Sequence, residues 1–462
     1  MVFSSLEFLF LFLPLTCAVY LLAPRRWRTP VLLAVSLIFY AWSEPRFLPL
    51  MLLTVSVDYA FGLALSRSRR RKKLWLIGAV TFNLALLAYF KYSDLLLSLL
   101  GLPPTDLGLP IGISFYTFQA LSYVVDVYRG DAEAQTSPIT FATYVTLFPQ
   151  LVAGPIIRYT ELDGQLTDRR HSITSIGAGI SCFVVGLCKK VLLGNTAGAV
   201  WESIRDLPPD ARSASLAWLG LICFAFQIYF DFSGYSDMAI GLGRLFGFRF
   251  PQNFNYPYTA VSVTDFWRRW HITLSEWFRE YLYIPLGGNR RGKRRTYLNL
   301  LIVWAATGLW HGASLNFLLW GLYYFLFLVA EKAFLGKILK KLPIALSWGY
   351  TTLTVLFGWL IFVFDGSTET LSIASGVSYL GSMLGTSGLY RPTDLYELSR
   401  NALLIAIMCI ASTPYPKRLF YRLYESTRGA AWISALLCSV GLLLGTAYLV
   451  GSAYNPFLYF RF

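Results

Sequence analysis

Apolar runs of the kind that cross a hydrocarbon core about 30 Å thick recur along this 462-residue chain. They fall near residues 6–23, 30–42, 47–65, 74–90, 176–193, 215–230, 298–330, 346–364, 402–411 and 432–450. Lipid offers no hydrogen-bond partner to a backbone N–H or C=O, so a spanning segment must satisfy its backbone internally, as a helix or within a closed barrel. These runs are continuous rather than alternating, which predicts helices. The expected fold class is all-α and polytopic, with roughly nine to eleven spans. The chain is read as one integral-membrane domain over residues 1–462.

Composition closes off other classes. With 56% hydrophobic residues, 14% charged residues and a mean hydropathy of +0.52, the apolar content exceeds what a soluble core absorbs. A net charge of +15 raises the question of nucleic acid, but the basic residues gather in short loops between apolar runs: RRWR at 25–28, RSRRRKK at 67–73, NRRGKRR at 289–295 and KILKK at 337–341. That is the positive-inside pattern, and no nucleic-acid partner is expected. Binding of phosphate or an acidic partner by some of these arginines stays open. The six cysteines (17, 182, 188, 223, 409 and 438) are scattered in apolar segments without a C-x-x-C pair. Neither a disulfide framework nor a zinc site is signalled. The first apolar stretch has no basic segment before it and PRRWR directly after it, the arrangement of a retained anchor with Met1 outside.

The polar or mixed stretches around 129–139, 158–175, 202–214 and 366–400 are each too short for a core of their own, so chemistry must lie within or at the edge of the membrane. No repeat of 20 to 50 residues is visible, nor two halves of mirrored hydropathy, which weakens a transporter built from inverted repeats. Residues 107–128 and 141–159 mix apolar residues with Gly, Pro and single polar groups, as re-entrant elements or kinked helices do.

Residues 264–282, TDFWRRWHITLSEWFREYL, read as one amphipathic helix: Phe266, Trp270, Leu274, Trp277 and Tyr281 recur at helical spacing. Thr264 is the expected N-cap, and the helix is expected to lie along the cytoplasmic interface. His271 shares a face with Trp267, Leu274 and Phe278.

The run 298–330 is too long for one span and has basic segments on both flanks, so it predicts a hairpin turning near Gly308 to Asn316. A helix leaving the surface near Thr296 carries His311 about 22 Å along, beyond the midplane but inside the hydrocarbon. A polar turn there needs burial or a water-filled recess, which puts His311 at the floor of a funnel from outside. The other reading is a core histidine bonded to a neighbouring helix, but an ionisable group at membrane depth is a functional candidate by default. Burial disfavours the charged form, leaving a neutral imidazole able to accept a proton.

Several long motifs, in order, resemble the membrane-bound O-acyltransferase family, and in particular its bacterial, alginate O-acetyltransferase-like branch. They are FSSLEFLFLFLP at 3–14, PIGISFYTFQALSYVVDVYRG at 110–130, FPQLVAGPIIRY at 148–159, DFSGYSDMAIGLGRLFGF at 231–248, NFNYPY at 253–258, DFWRRWHITLSEWFREYLYIPLGGNRRG at 265–292, TGLWHGASLNFLLWG at 307–321 and YNPFLYFRF at 454–462. The resemblance implies an O-acyltransferase in which His311, in the second WH motif, is catalytic, and His271 matches the upstream histidine. His311 would take the proton of a hydroxyl attacking a thioester, and His271 would hold the donor or polarise its carbonyl. Asp231, Ser233, Tyr235, Ser236 and Asp237 either line the substrate pocket or form local caps and interhelical bonds. Trp310, Asn316 and Arg268 are further substrate-site candidates, and Arg290 and Arg291 are candidates for the donor's phosphates. His171, on a polar loop, reads as a solvated bystander.

No cofactor is expected to reside in the protein. The implied donor is acetyl-CoA or another acyl thioester, with an acyl carrier protein open as its bearer. The implied partners are the lipid bilayer, an exported polysaccharide acceptor and extracytoplasmic acetyltransferase proteins, at a bacterial inner membrane. Peptidoglycan O-acetylation and D-alanyl transfer to teichoic acid are rivals within the fold. A transporter or export subunit is the non-enzyme rival; it predicts paired intramembrane charges, of which Asp58, Asp126, Asp231 and Asp237 are the main candidates. No G-x-S-x-G elbow is present and Ser314 is the sole serine neighbour of His311, so direct transfer is favoured over a serine acyl-enzyme.

Overall fold

A computed structural model describes residues 1–68, 70–103, 105, 108–426, 429–452 and 454–458, all helical or irregular with no strand among them. Arg69 of the basic run 67–73, Leu107 and the last four residues of the closing motif lie outside the described residues. Among the described residues, seven helices are long and apolar enough to cross a membrane: Pro45–Arg67, Lys72–Leu99, Ile173–Arg205, Ala214–Leu245, Leu315–Leu339, Ile344–Val363 and Ala430–Gly451. Asp394–Ala411 and Tyr415–Glu425, bent by 65°, would make an eighth if they form one span. The larger number expected from sequence counted three further runs. The first two form shorter helices, Phe8–Leu22 and the 16-residue Arg28–Ser43. The third, Gly292–His311, opens on the basic sequence GKRR.

The chain divides into two compact units, residues 1–186 with 235–252, and residues 187–234 with 253–462. In the first unit the helices are α1 (Leu13–Leu22), α2 (Arg28–Ser43), α3 (Pro45–Arg67), α4 (Lys72–Leu99), α5 (Ile113–Arg129), α6 (Pro138–Thr146) and α7 (Tyr159–Thr167). Of the two segments read as re-entrant elements or kinked helices, the first forms helix α5 from Ile113 onward, buried almost without break to Val127. The other, 141–159, is interrupted: α6 is followed by a one-turn helix, Phe148–Leu151, and then by extended chain to Arg158. Between α3 and α4 the amide of Asn83 donates to the Asp58 carboxylate at 2.6 Å, with both side chains fully buried. His171 is no solvated bystander: its ring nitrogens meet the Tyr20 hydroxyl and the Arg28 guanidinium, each at 3.1 Å. Burial, with Arg28 and Arg169 nearby, lowers its pKa.

Helix α8 (Ile173–Arg205) and helix α9 (Ala214–Leu245) run through the division. The second unit continues with α10 (Val263–Trp267), α11 (Ile272–Phe278), α12 (Gly292–His311), α13 (Leu315–Leu339), α14 (Ile344–Val363), α15 (Ile373–Met383), α16 (Asp394–Ala411), α17 (Tyr415–Ser426) and α18 (Ala430–Gly451). Apolar side chains of α18, such as Leu436 and Leu443, stand 63% and 68% exposed, as expected of a helix whose solvent is lipid. The hairpin of α12 and α13 turns at Gly312–Ser314, within the predicted stretch.

Two glycines set the closeness of that hairpin. A Cβ at Gly308 would lie 2.4 Å from the Phe317 carbonyl oxygen, and one at Gly321 would lie 2.4 Å from the Trp304 carbonyl oxygen. Both obstacles are backbone, so neither can swing aside. Gly321→Ala should therefore force the helices apart and lower stability by about 1–3 kcal/mol, read as a drop in thermal unfolding midpoint in detergent, whereas Gly349→Ala, with open space at its Cβ position, should leave it unchanged.

Candidate active site

The expected amphipathic helix over 264–282 is broken where its most interesting residue lies. Helix α10 ends at Trp267, residues 268–271 form a turn, and α11 restarts at Ile272. Its N-cap is Ser262 rather than Thr264: the Ser262 hydroxyl accepts from Asp265 N at 3.0 Å. Thr264 is held differently, because the buried Glu331 carboxylate of α13 accepts from Val263 N (2.7 Å), Thr264 N (2.9 Å) and the Thr264 hydroxyl (2.5 Å). A carboxylate on the first amides of a helix is favourable both as hydrogen-bond acceptor and by charge.

His271 sits in the turn with φ +44° and ψ +55°, a left-handed conformation that a residue with a Cβ adopts at a cost of order 1–3 kcal/mol. Asn253 holds it there. The Asn253 carbonyl oxygen accepts from Ile272 N at 3.0 Å, while Oδ1 accepts from Thr273 N (3.3 Å) and the Thr273 hydroxyl (3.0 Å) and faces His271 Nδ1 at 3.1 Å. Because Oδ1 is an acceptor, Nδ1 carries the proton, and Nε2 of the neutral ring is then an acceptor. His271 is 2% exposed and lies outside the spanning helices; burial lowers its pKa to about 3, so the ring is neutral at physiological pH. The Phe232 ring meets it edge to face at 4.8 Å.

His311 is the last residue of α12, 7% exposed and enclosed by aromatic rings. Trp320 and Phe362 stand nearly perpendicular to its imidazole, each with centroids 5.1 Å away. Both histidines line one cavity of about 360 Å³. Along α12 its wall is the stripe Leu300, Val303, Thr307 and His311, three or four residues apart and hence one helix face. From Leu300 to His311 that stripe covers roughly 16 Å. At the end away from His311 the lining includes Tyr283, Asn289 and Lys332, beside the basic loop. The cavity extends towards the basic loop, the side opposite the outside funnel that the sequence reading set above His311. The stripe is possible because α12 starts on that loop and runs unbroken to the histidine.

The other predicted residues separate into three groups. Arg268 lines the cavity with the histidines, and Trp310 lies between them, its ring 5.0 Å from His311 and 6.2 Å from His271. Asp231, Ser233 and Asn316 are buried in the same unit but are not among the lining residues: Asp231 pairs with Lys190 at 2.9 Å, and the Asn316 amide donates to Ile361 and Phe362 carbonyls at 3.1 and 3.0 Å, closing the end of α14. Tyr235, Ser236 and Asp237 belong to the other unit, where the Tyr235 ring stacks on Phe3 at 4.6 Å and the Asp237 carbonyl accepts from the Cys182 thiol at 3.3 Å. Arg290 and Arg291 are exposed and absent from the lining. The cations that do line it are Arg268, Arg279 and Lys332, all exposed, with Asn289 accepting from Lys332 (3.0 Å) and from Tyr283 (2.6 Å). The signal for Arg279 was its place one turn beyond Ser275 on the His271 side of the segment; Lys332 carried none.

Comparison with known proteins gives a consistent picture. The sequence profile of the MBOAT, membrane-bound O-acyltransferase family matches residues 38–374. A probable alginate O-acetylase from Pseudomonas putida is 39% identical, over 100% of both chains. Another probable alginate O-acetylase, from Pseudomonas aeruginosa, is 43% identical over 81% of this chain and 73% of its own. A peptidoglycan O-acetyltransferase from Helicobacter pylori is 32% identical over 100% of this chain and 98% of its own.

The lowered pKa of His271 fixes a pH dependence. The unfolded chain binds a proton at His271 below about 6.5 that the folded chain refuses until about 3. Stability from this group is therefore complete above pH 6.5 and lost as pH falls towards 3. Between pH 6.5 and 5 the loss is about 2 kcal/mol, and thermal unfolding midpoints of the wild type and of His271→Gln across that range should show the variant lacking this share of the decline.

Proposed function

This chain belongs to the membrane-bound O-acyltransferase family, and we propose that it moves an acetyl group from a thioester donor presented at the basic-loop face to a hydroxyl of an exported polysaccharide. The observation that carries the reading is the shared cavity. An imidazole stands at the inner end of an apolar channel, and cations stand at the outer end. A thioester has that polarity: its acyl end must reach the base, while its phosphate-bearing carrier stays in water. Arg268, Arg279 and Lys332 are suited to those phosphates or to an acidic carrier protein.

In this reading His311 takes the proton of the acceptor hydroxyl as its oxygen adds to the thioester carbonyl. The tetrahedral intermediate then expels the sulfur, which takes the proton from the imidazolium, leaving an ester and a free thiol. His271 has a different part. With Nδ1–H committed to Asn253, its Nε2 accepts rather than donates, so it orients a donor group of a substrate and does not polarise the carbonyl. Aromatic walls exclude the water that would otherwise hydrolyse the thioester.

The acetyl group and a polysaccharide acceptor of the alginate kind are supported by the full-length likeness to proteins named for that activity. Peptidoglycan as acceptor is the second reading, supported by a full-length but more distant relative. By the positive-inside rule the basic-loop face is cytoplasmic in a bacterial inner membrane, Met1 is outside, and extracytoplasmic proteins complete delivery to polymer.

The test is acetyl transfer to oligosaccharide by the purified protein in nanodiscs, with labelled acetyl-CoA or acetyl-carrier protein as donor. His311→Ala should lose turnover by 10²–10⁴-fold, on the order expected for removing a general base, with its fold intact; undiminished turnover would overturn the assignment. Replacing Arg268, Arg279 and Lys332 together by Gln should raise KM for the donor and spare kcat, as loss of uniform binding does.

A further inference from the structure

A lysine within the apolar run 176–193 has no place in the cavity just described, yet Lys190 is 1% exposed. A charge at that depth is costly unless it is fully compensated. Here α8 widens into a π-helical turn, Lys189–Gly194, which turns the lysine inward. Three acceptors surround its ammonium, matching its three donors: Asp231 Oδ1 at 2.9 Å, Asn195 Oδ1 at 2.8 Å and the carbonyl oxygen of Pro456. The other Asp231 oxygen accepts from Leu458 N at 2.9 Å. Asn195 in turn donates to the Tyr454 carbonyl at 3.3 Å and to Asn455 Oδ1 at 3.2 Å. Tyr454 places its hydroxyl against Gln227, in space kept open by Gly198, where a Cβ would come within 2.7 Å of that oxygen.

Four polar groups of the segment 454–458 therefore complete this network. Without them, Lys190, Asn195 and Asp231 would be left buried with unmet bonds, which is worse than an apolar filling. The network also touches the reaction site through α9. Asp231 immediately precedes Phe232, whose ring contacts His271 at 4.8 Å, and follows Ile228 by three residues; both Phe232 and Ile228 line the cavity.

We propose that residues 454–458 act as a latch on α9, and that Lys190 and Asp231 are positioning residues that hold Phe232 and Ile228 against His271 for acyl transfer. The proposal rests on the reading of the His271–His311 cavity as the transfer site. It explains why the DFSG stretch and the closing YNPFL stretch, far apart in sequence, both carry polar groups that the cavity does not use.

A variant with Lys190→Met and Asp231→Leu tests it, because replacing a buried ion pair by apolar side chains of similar size commonly preserves folding. Two readouts are taken beside thermal stability: hydrogen exchange at residues 454–458, and kcat with KM for the acetyl donor. A latch predicts a folded variant with rapid exchange in the segment and a kcat lower by about tenfold or more, as misplacement of reacting groups produces, with donor KM kept. Asp231→Asn, which keeps the side chain's shape but offers one acceptor oxygen where two are used and turns its NH2 on the other donor, should release the segment and lower kcat in the same way. Wild-type kcat in a variant whose segment exchanges freely overturns the proposal, and so does continued protection of the segment. Hydrogen exchange reads the latch even if no transfer is seen, so a failure of the acetyl-transfer reading is distinguishable from a failure of the latch.

Discussion

The organisation of this protein depends on one constraint: polar groups removed from water into an apolar interior must be closed among themselves. Each feature near the cavity is a solution to it. The Glu331 carboxylate is absorbed by the first amides of α10 and the Thr264 hydroxyl. The strained turn at His271 persists because Asn253 uses both its side chain and its carbonyl to fix the residues around it. Left-handed backbone at a non-glycine residue is unfavourable by itself, and surroundings that over-determine it are what make it tolerable. Closing the polar groups thus does more than stabilise. It fixes the direction of an imidazole to within the tolerance of hydrogen bonds.

The same constraint explains how a helix hairpin joins two environments. Helix α12 begins at a basic loop in water and ends at His311 among Trp320, Phe362 and Phe317. One of its faces, Leu300 to His311, is left unfilled by neighbouring side chains and becomes the cavity wall. On the face towards α13 the helix is packed closely, with Gly308 and Gly321 bringing the backbones of α12 and α13 together. A wide gap on one face and a very narrow one on another is how a bundle of apolar helices makes a channel without losing its core.

Much of this was legible in the sequence, for identifiable reasons. His311 stood out because nothing else in its run ionises near neutral pH, and the hairpin followed from basic flanks on a run too long for one span. The break at His271 was not legible. Phe266, Trp270, Leu274 and Trp277 keep helical spacing through it, since a four-residue turn nearly replaces one helical turn in register. For Asp231 the sequence left pocket lining and an interhelical bond open, because it cannot show that its partner, Lys190, is forty-one residues earlier on another helix. Arg290 and Arg291 were the sequence's candidates for donor phosphates, whereas the cations that line the cavity are Arg268, Arg279 and Lys332. A basic run announces a face of the membrane, but the π-helical turns Arg279–Tyr283 and Glu331–Leu335 set which cations reach the opening.

The electrostatics of the cavity bear on how a transfer there has to proceed. The rings of Trp320, Phe362 and Phe317 stand round the His311 imidazole, and aromatic walls stabilise a lone charge far less well than water does. If proton transfer to His311 ran ahead of bond formation, an alkoxide and an imidazolium would both need solvation that the site does not supply. If bond formation ran ahead, a protonated ether oxygen would face the same difficulty. When the two occur together, the positive imidazolium and the negative tetrahedral oxygen arise within a few ångströms of each other, and their attraction in a poorly polarisable medium replaces the missing water. In the proposed reaction an aromatic-walled cavity of this kind favours concerted addition, and a donor's phosphates, which could not share that environment, would stay at the far end with Arg268, Arg279 and Lys332.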